Sequence, residues 1–199
     1  MAVTTTKTNK PINPRGNDQS PKGYNRAALY SGKALDFDGV NDSVSIGTLS
    51  GDVYAATFYT FTDSDITKTT STQTLIDFNT SGNARVKFGT FTGFLTDETF
   101  GLLLPNSARV GLDKTIPKGW NFWALCWDGS TYKIYLNGQE QETITSGTAS
   151  LMSLGPMVLG KEGSGQYFNG SFSNVKVYST ALTAAQVADL YNNPERVVP

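Results

Sequence analysis

The chain has 199 residues, with 16 Lys and Arg against 17 Asp and Glu, no histidine and one cysteine. Without histidine there is no Ser-His-Asp or Cys-His catalysis, no His-ligated zinc and no histidine pH switch; with Cys126 alone there is no internal disulfide. Hydrophobic residues at 38% and aromatic residues at 12% suffice for one packed core, and no run of about 18 apolar residues exists to insert into a membrane.

Residues 1–30 are rich in Thr, Asn, Pro and Lys and read as an extended basic N-terminal arm. They hold Lys7, Lys10, Arg15, Lys22 and Arg26 against Asp18 alone, a charge of +4, which leaves −5 on the rest. So little apolar surface cannot offset the entropy of ordering the segment by itself. The start, MAVTTTKTNKPINP, has no apolar stretch of the signal-peptide kind. Residues 31–199 are expected to form one domain.

From Ala34 onward the hydrophobic period is close to two. ALDFDG, DSVSIG, VYAATFYTFT, QTLIDFNT, ARVKFGTFTG, TFGLLL, NFWALCW, TYKIYLNG, QETITS, PMVLGK and SFSNVKVY read as short strands separated by Gly, Asn, Asp or Ser. Many short strands with regular turn signals specify an all-β sandwich or barrel. In GWNFWALCW, Trp120, Phe122, Ala124 and Cys126 share one face, and Trp123, Leu125 and Trp127 the other. That strand is expected to be covered on both sides, with Trp120, Phe122, Trp123, Leu125 and Trp127 largely buried. Asp128-Gly129 and Asn137-Gly138 are hairpin signals, since type I′ turns need positive φ at the central residues; residues 119–145 should form three consecutive antiparallel strands. Alternation slips between Phe172 and Val175, which predicts a bulge. A helix is predicted over residues 184–192. Thr183 and Gln186 form a capping box, Leu182 and Val187 a hydrophobic staple, and Val187, Leu190 and Tyr191 an apolar face.

Four stretches together resemble the concanavalin A-like, laminin G-like domain family. ALDFDGVNDSV is similar to its opening strand pair, TFYTFT to its second strand, GWNFWALCWDGSTYKIYLNGQE to its central hairpin, and VLGKEGSGQYFNGSFSNVKVYSTALTAAQVADLYNN to its closing segment with a terminal helix. The resemblance spans about residues 33–193. It implies a two-sheet antiparallel jelly-roll sandwich used for adhesion, carbohydrate recognition and structural roles, in secreted proteins and in phage tail and head proteins. Fold does not fix function.

The candidate sites follow. A glycosidase needs two carboxylates on one face. Asp97 and Glu98 point to opposite faces, whereas Glu140 and Glu142, two apart, are expected to share one, in a polar hairpin edge where solvated charges are ordinary. For calcium, Asp38, Asn41 and Asp42 cluster in one turn, against the competing reading of an Asx turn. The resemblance adds Asn174, where many relatives place an acidic residue. Tyr167 and Phe168, in a glycine-rich loop, are candidates for stacking on a ligand, against the competing reading of a core plug. Asp63-Ser64-Asp65 reads as a loop and Cys126 as a buried inert thiol. No phosphate loop or basic-aromatic stripe points to nucleic acid. These features yield an expectation of a non-enzymatic structural or binding protein. The leading form is a virion surface accessory subunit, a capsid decoration or tail protein. Its arm would grip a lattice of capsid or tail subunits through Lys7, Lys10, Arg15 and Lys22, and a homo-oligomer is a further expectation. It would be made in a host cytoplasm without a signal peptide. A glycan-binding lectin is the alternative, and a glycoside hydrolase the third reading.

Overall fold

Period-two alternation becomes strands and the capping box becomes a helix in the computed structural model, which describes residues 34–49, 51–66, 72–78, 86–90, 100–104, 109–112, 114–145, 156–163 and 165–196, with the backbone alone at 86, 87, 109, 110, 144 and 145. In chain order the elements are β1 (Leu35–Asp38), β2 (Val44–Thr48), β3 (Ala55–Thr62), β4 (Gln73–Phe78), β5 (Val86–Thr90), β6 (Phe100–Leu103), β7 (Arg109–Leu112), β8 (Gly119–Trp127), β9 (Thr131–Leu136), β10 (Gln139–Thr145), β11 (Pro156–Leu159), β12 (Asn169–Tyr178) and α1 (Ala184–Asn192). The arm, its lysines and arginines, the boundary at 30/31, and the Asp97-Glu98 pair lie outside the described residues.

The strands form two six-stranded antiparallel sheets stacked as a sandwich. One runs β10-β9-β8-β3-β12-β1 and the other β2-β11-β4-β5-β6-β7. The inner face of the first sheet carries Phe58, Trp123, Leu125, Ile134 and Phe172, which pack in one cluster with Ile76, Phe88, Phe100, Leu102 and Met157 of the second. The outer face of the first sheet is apolar too, because β8 alternates between two hydrophobic sets. Ala55, Tyr59, Phe122, Ala124, Cys126, Tyr135 and Tyr178 form a second cluster there with Leu182, Val187 and Leu190. Helix α1, too short to stand alone, is thus held by the sheet it covers. The Cys126 thiol is buried beneath it, and loss of solvent pushes its pKa up to about 12, so it is an unreactive core group.

Residues 119–145 form the three consecutive strands expected, with one adjustment. At the β9–β10 hairpin Asn137 (φ 51°) and Gly138 (φ 83°) both take positive φ, as a type I′ turn requires. At the β8–β9 hairpin the backbone N–H of Asp128 donates to Thr131 at 3.2 Å. The central pair is therefore Gly129-Ser130, one residue later than the Asp-Gly signal placed it. Only Gly129 has positive φ there, the pattern of a type II′ turn. Asp128 instead caps the turn: its Oδ1 accepts the backbone N–H groups of Ser130 at 2.9 Å and Thr131 at 2.8 Å.

The bulge expected in β12 is present as a register shift between Ser173 and Lys176, with Asn174 at φ 51°. At α1 the Thr183 and Gln186 side chains each bond the other's backbone, which completes the capping box. Thr183→Ala is expected to cost about 1 kcal/mol. Thermal melting checks this; no change would mean that docking alone holds the first turn.

Candidate functional site

The helix covers only part of the outer face of the first sheet. Strand pairing sets Trp120 of β8 opposite Phe61 of β3, Phe61 opposite Ser171 of β12, and Ser171 opposite Asp36 of β1. Directly opposed residues point to the same side of a sheet. Trp120 is two residues before Phe122, and Phe61 two after Tyr59, both under the helix, so this row lies on the same outer face just past it. Trp120 and Phe61 are half-buried with ring centroids 5.5 Å apart, tilted by 54°. Among the described residues no side-chain hydrogen bond of Trp120 is formed, which leaves its indole N–H available as a donor. At the other end the Ser171 hydroxyl donates to Asp36 Oδ1 at 2.6 Å, and Asp36 is exposed. Asp38, two residues on from Asp36, shares its face and pairs with Asn169. Two aromatic faces at one end and a hydroxyl–carboxylate pair at the other can stack on a ring and hydrogen-bond its substituents.

The residues singled out from sequence fall elsewhere or take other roles. Glu140 and Glu142 do not share a face, which corrects the expectation. A bulge in β10 makes Ile134 pair with Glu142 but Tyr135 with Glu140, so the extra residue, Gln141, turns the two carboxylates to opposite sides. Glu140 is a fixed anion: it accepts from Thr143 Oγ1 at 2.8 Å, Lys133 Nζ at 3.0 Å and Tyr135 Oη at 3.1 Å. The Thr143 hydroxyl, then Lys133, then Tyr135 hold its carboxyl below the usual range, the reverse of what a general acid needs.

The Asp38 turn is an Asx turn. Asp38 Oδ1 accepts the N–H groups of Val40 at 2.8 Å and Asn41 at 3.2 Å, and Asp42 Oδ2 accepts the N–H of Asp38 at 3.0 Å. The Val40 and Asn41 N–H groups hold the Asp38 carboxyl below its usual range. Asn174 does not join this turn. It lies five residues along β12 from Asn169, roughly 15 Å away, and its amide donates to Pro194 O at 2.9 Å. No group of three or more His, Cys, Asp or Glu able to hold a metal occurs among the described residues. One carboxylate oxygen of Asp38 and one of Asp42 are engaged by backbone donors within the turn.

Phe168 is a core plug, 1% exposed, packed edge-on against Phe172 at 5.1 Å. Tyr167 is half-buried beside it. Asp65 caps a backbone N–H, that of Lys118, at 2.8 Å.

The family assignment rests on this architecture and on the residues matched. A family model described as the concanavalin A-like lectin/glucanases superfamily matches residues 37–188. The chain belongs to that superfamily. No curated protein sequence matches it. Among solved structures, this superfamily member is similar to domain 4 of AbnA, a GH43 extracellular arabinanase from Geobacillus stearothermophilus, in complex with arabinotriose. Identity is 22% over 79% of this chain and 76% of that one, with a TM-score of 0.63. It is also similar to the CBM40 of the Ruminococcus gnavus IT-sialidase bound to α2,3 sialyllactose, at 16% identity over 81% of this chain and 99% of that one (TM-score 0.56). A third likeness is the heptameric SAP-like pentraxin from Limulus polyphemus, at 19% identity over 79% and 81% (TM-score 0.54). At these identities the likeness shows the concanavalin A-like sandwich and nothing finer.

The sequence reading missed the row of Trp120, Phe61, Ser171 and Asp36 because it depends on strand order. It also missed that Asp36 and Asp38, two apart in β1, are carboxylates that share a face. Trp120, expected to be largely buried, is half-buried and packs against the edge of the outer cluster.

Among the described residues of this superfamily member, Asp38, Asp128 and Glu140 have carboxyls held below their usual range. A depressed folded-state value contributes stability above the ordinary pKa, 3.8 for the aspartates and 4.5 for Glu140, that is lost as pH falls through the folded value. Melting temperature is therefore expected to decline below about pH 4.5, and less steeply in Asp128→Asn. Superimposable acid limbs in the two proteins would contradict the role given to that cap.

Proposed function

We propose that this protein is a non-catalytic carbohydrate-binding module. The observation that carries the reading is the stretch of outer sheet face beyond the helix in which half-buried Trp120 and Phe61 stand beside Ser171 and Asp36. Sugars present C–H faces that stack on aromatic rings and hydroxyls that bond carboxylates and hydroxyls. The neighbours whose structures hold arabinotriose and sialyllactose support the reading by analogy of fold. Reading the module as non-catalytic rests on the carboxylates. Glu140 is a hydrogen-bonded anion on the opposite face to Glu142. Asp36 and Asp38 share a face, but Asp38 is an anionic turn cap and Asp36 is solvent-exposed, so neither has the burial that keeps a general acid protonated. The reading as a capsid or tail accessory subunit rests on the arm, outside the described residues; nothing in the described fold favours it over glycan binding.

A glycan array probed with the purified protein, followed by reducing-sugar assays on every glycan retained, tests the proposal. Retention of one or more glycans without release of reducing ends is expected. Retention of none would overturn the binding reading. Hydrolysis lost in Asp36→Asn would overturn the non-catalytic one.

A further inference from the structure

Resting on the carbohydrate-binding reading, we propose that the ligand is a neutral oligosaccharide lying across the strands of the first sheet, from Trp120 on β8 to Asp36 on β1, and that anionic sugars are excluded. The length of the row sets the first part. Four adjacent strands at about 4.8 Å spacing make it about 14 Å long, enough for a short run of sugar rings rather than a single one. Its direction is fixed by the pairing Trp120–Phe61–Ser171–Asp36, perpendicular to the strands. The tilt of 54° between the two rings makes a shallow notch instead of a flat wall, so one sugar ring seats against Trp120 and Phe61 while the indole N–H donates to a hydroxyl.

Charge sets the second part. Beyond the rings the row ends in Ser171 and Asp36, with Asp38 on the same face two residues further along β1. Both carboxylates are exposed, and the N–H groups of Val40 and Asn41 keep the Asp38 side chain anionic. A carboxylate sugar at this end would meet two like charges, whereas a neutral sugar offers hydroxyl donors to Asp36, charge-assisted bonds of the stronger kind. Lys118, two residues before Trp120 along the chain, flanks the aromatic end of the row, away from the two carboxylates. The outer face thus favours uncharged polymers, unlike the sialyllactose held by the CBM40 of similar fold.

Isothermal titration of the full chain tests this, with neutral arabino-, xylo- and gluco-oligosaccharides of increasing length and with sialyllactose. At least one neutral series is expected to bind more tightly with each added unit and then level off at a short oligomer, and sialyllactose to bind at least about tenfold more weakly. Trp120→Ala and Phe61→Ala are each expected to lower the neutral affinity about tenfold or more, the size of an interface anchor. Asp36→Asn should lower neutral affinity severalfold and narrow the gap to sialyllactose; Lys114→Ala, on a distant edge, should change neither. Melting curves establish that each variant is folded, and Phe61→Ala serves if Trp120→Ala is not. Neutral binding that survives both aromatic substitutions would overturn this site while leaving a carbohydrate-binding module intact. Binding of sialyllactose as tight as that of the neutral series would overturn the charge argument. No binding of any sugar here or on the array would overturn the underlying reading itself.

Discussion

Replacing Trp123 with Ala is expected to destabilise the protein by about 3–5 kcal/mol, the range for removing a buried large aromatic. Trp123 is fully buried, on the inner face of β8 at the centre of the first sheet. It stacks on Phe100 at 4.8 Å and meets Phe88 edge-on at 4.9 Å, both from the second sheet. Its indole N–H donates to Thr60 Oγ1 at 3.0 Å, so the substitution removes the ring contacts between the sheets and also a buried hydrogen bond within the first. For a domain of this size the melting temperature should fall by roughly 6–20 °C. A loss below about 1 kcal/mol, the scale of surface substitutions, would mean that the β8 register is misassigned.

The second large effect is expected at Gly89. A Cβ built there would lie 2.1 Å from the carbonyl oxygen of Gln73 and 3.0 Å from Thr74 Cα, both backbone. Gly89 pairs with Thr74 next to the β4 bulge, where the register shifts between Thr74 and Ile76, so the strands cannot separate without breaking the ladder. Gly89→Ala should therefore cost on the order of 3 kcal/mol, the upper range of overpacking. Denaturant unfolding measures it; a cost within about 0.5 kcal/mol would show that β4 and β5 can part freely.

Much of the fold was legible because it is written in local periodicity. Alternation in GWNFWALCW gave both apolar faces, Asn137-Gly138 gave its hairpin, and Thr183 with Gln186 gave the helix start. What failed was what depends on a single inserted residue or on strand order. Gln141 adds one residue to β10 and turns Glu142 away from Glu140; no propensity separates that bulge from regular alternation. The Asp-Gly turn slipped by one because Asp128 caps the loop with its side chain instead of entering it. Phe168 was weighed as core or ligand contact, and only the packing of Phe37 and Phe172 around it decides. The outer-face row joins residues 36, 61, 120 and 171, which are adjacent only after β12 inserts between β1 and β3. The extent of α1 then decides that Phe122 is buried and Trp120 half-buried.

The proposed sugar site is the part of the outer face that carries Trp120 and Phe61. The three tryptophans make the test direct. Trp123 and Trp127 are buried in the inner cluster, while Trp120 is half-buried on the outer face. In a ¹⁵N-labelled sample, titrated with a glycan retained on the array, the three indole N–H resonances report separately. The Trp120 signal is expected to shift progressively and saturably, with the backbone amides of Phe61 and Ser171, while those of Trp123 and Trp127 stay in place. A saturable shift confined to the sandwich-end loop around Tyr167, with Trp120 unmoved, would contradict it.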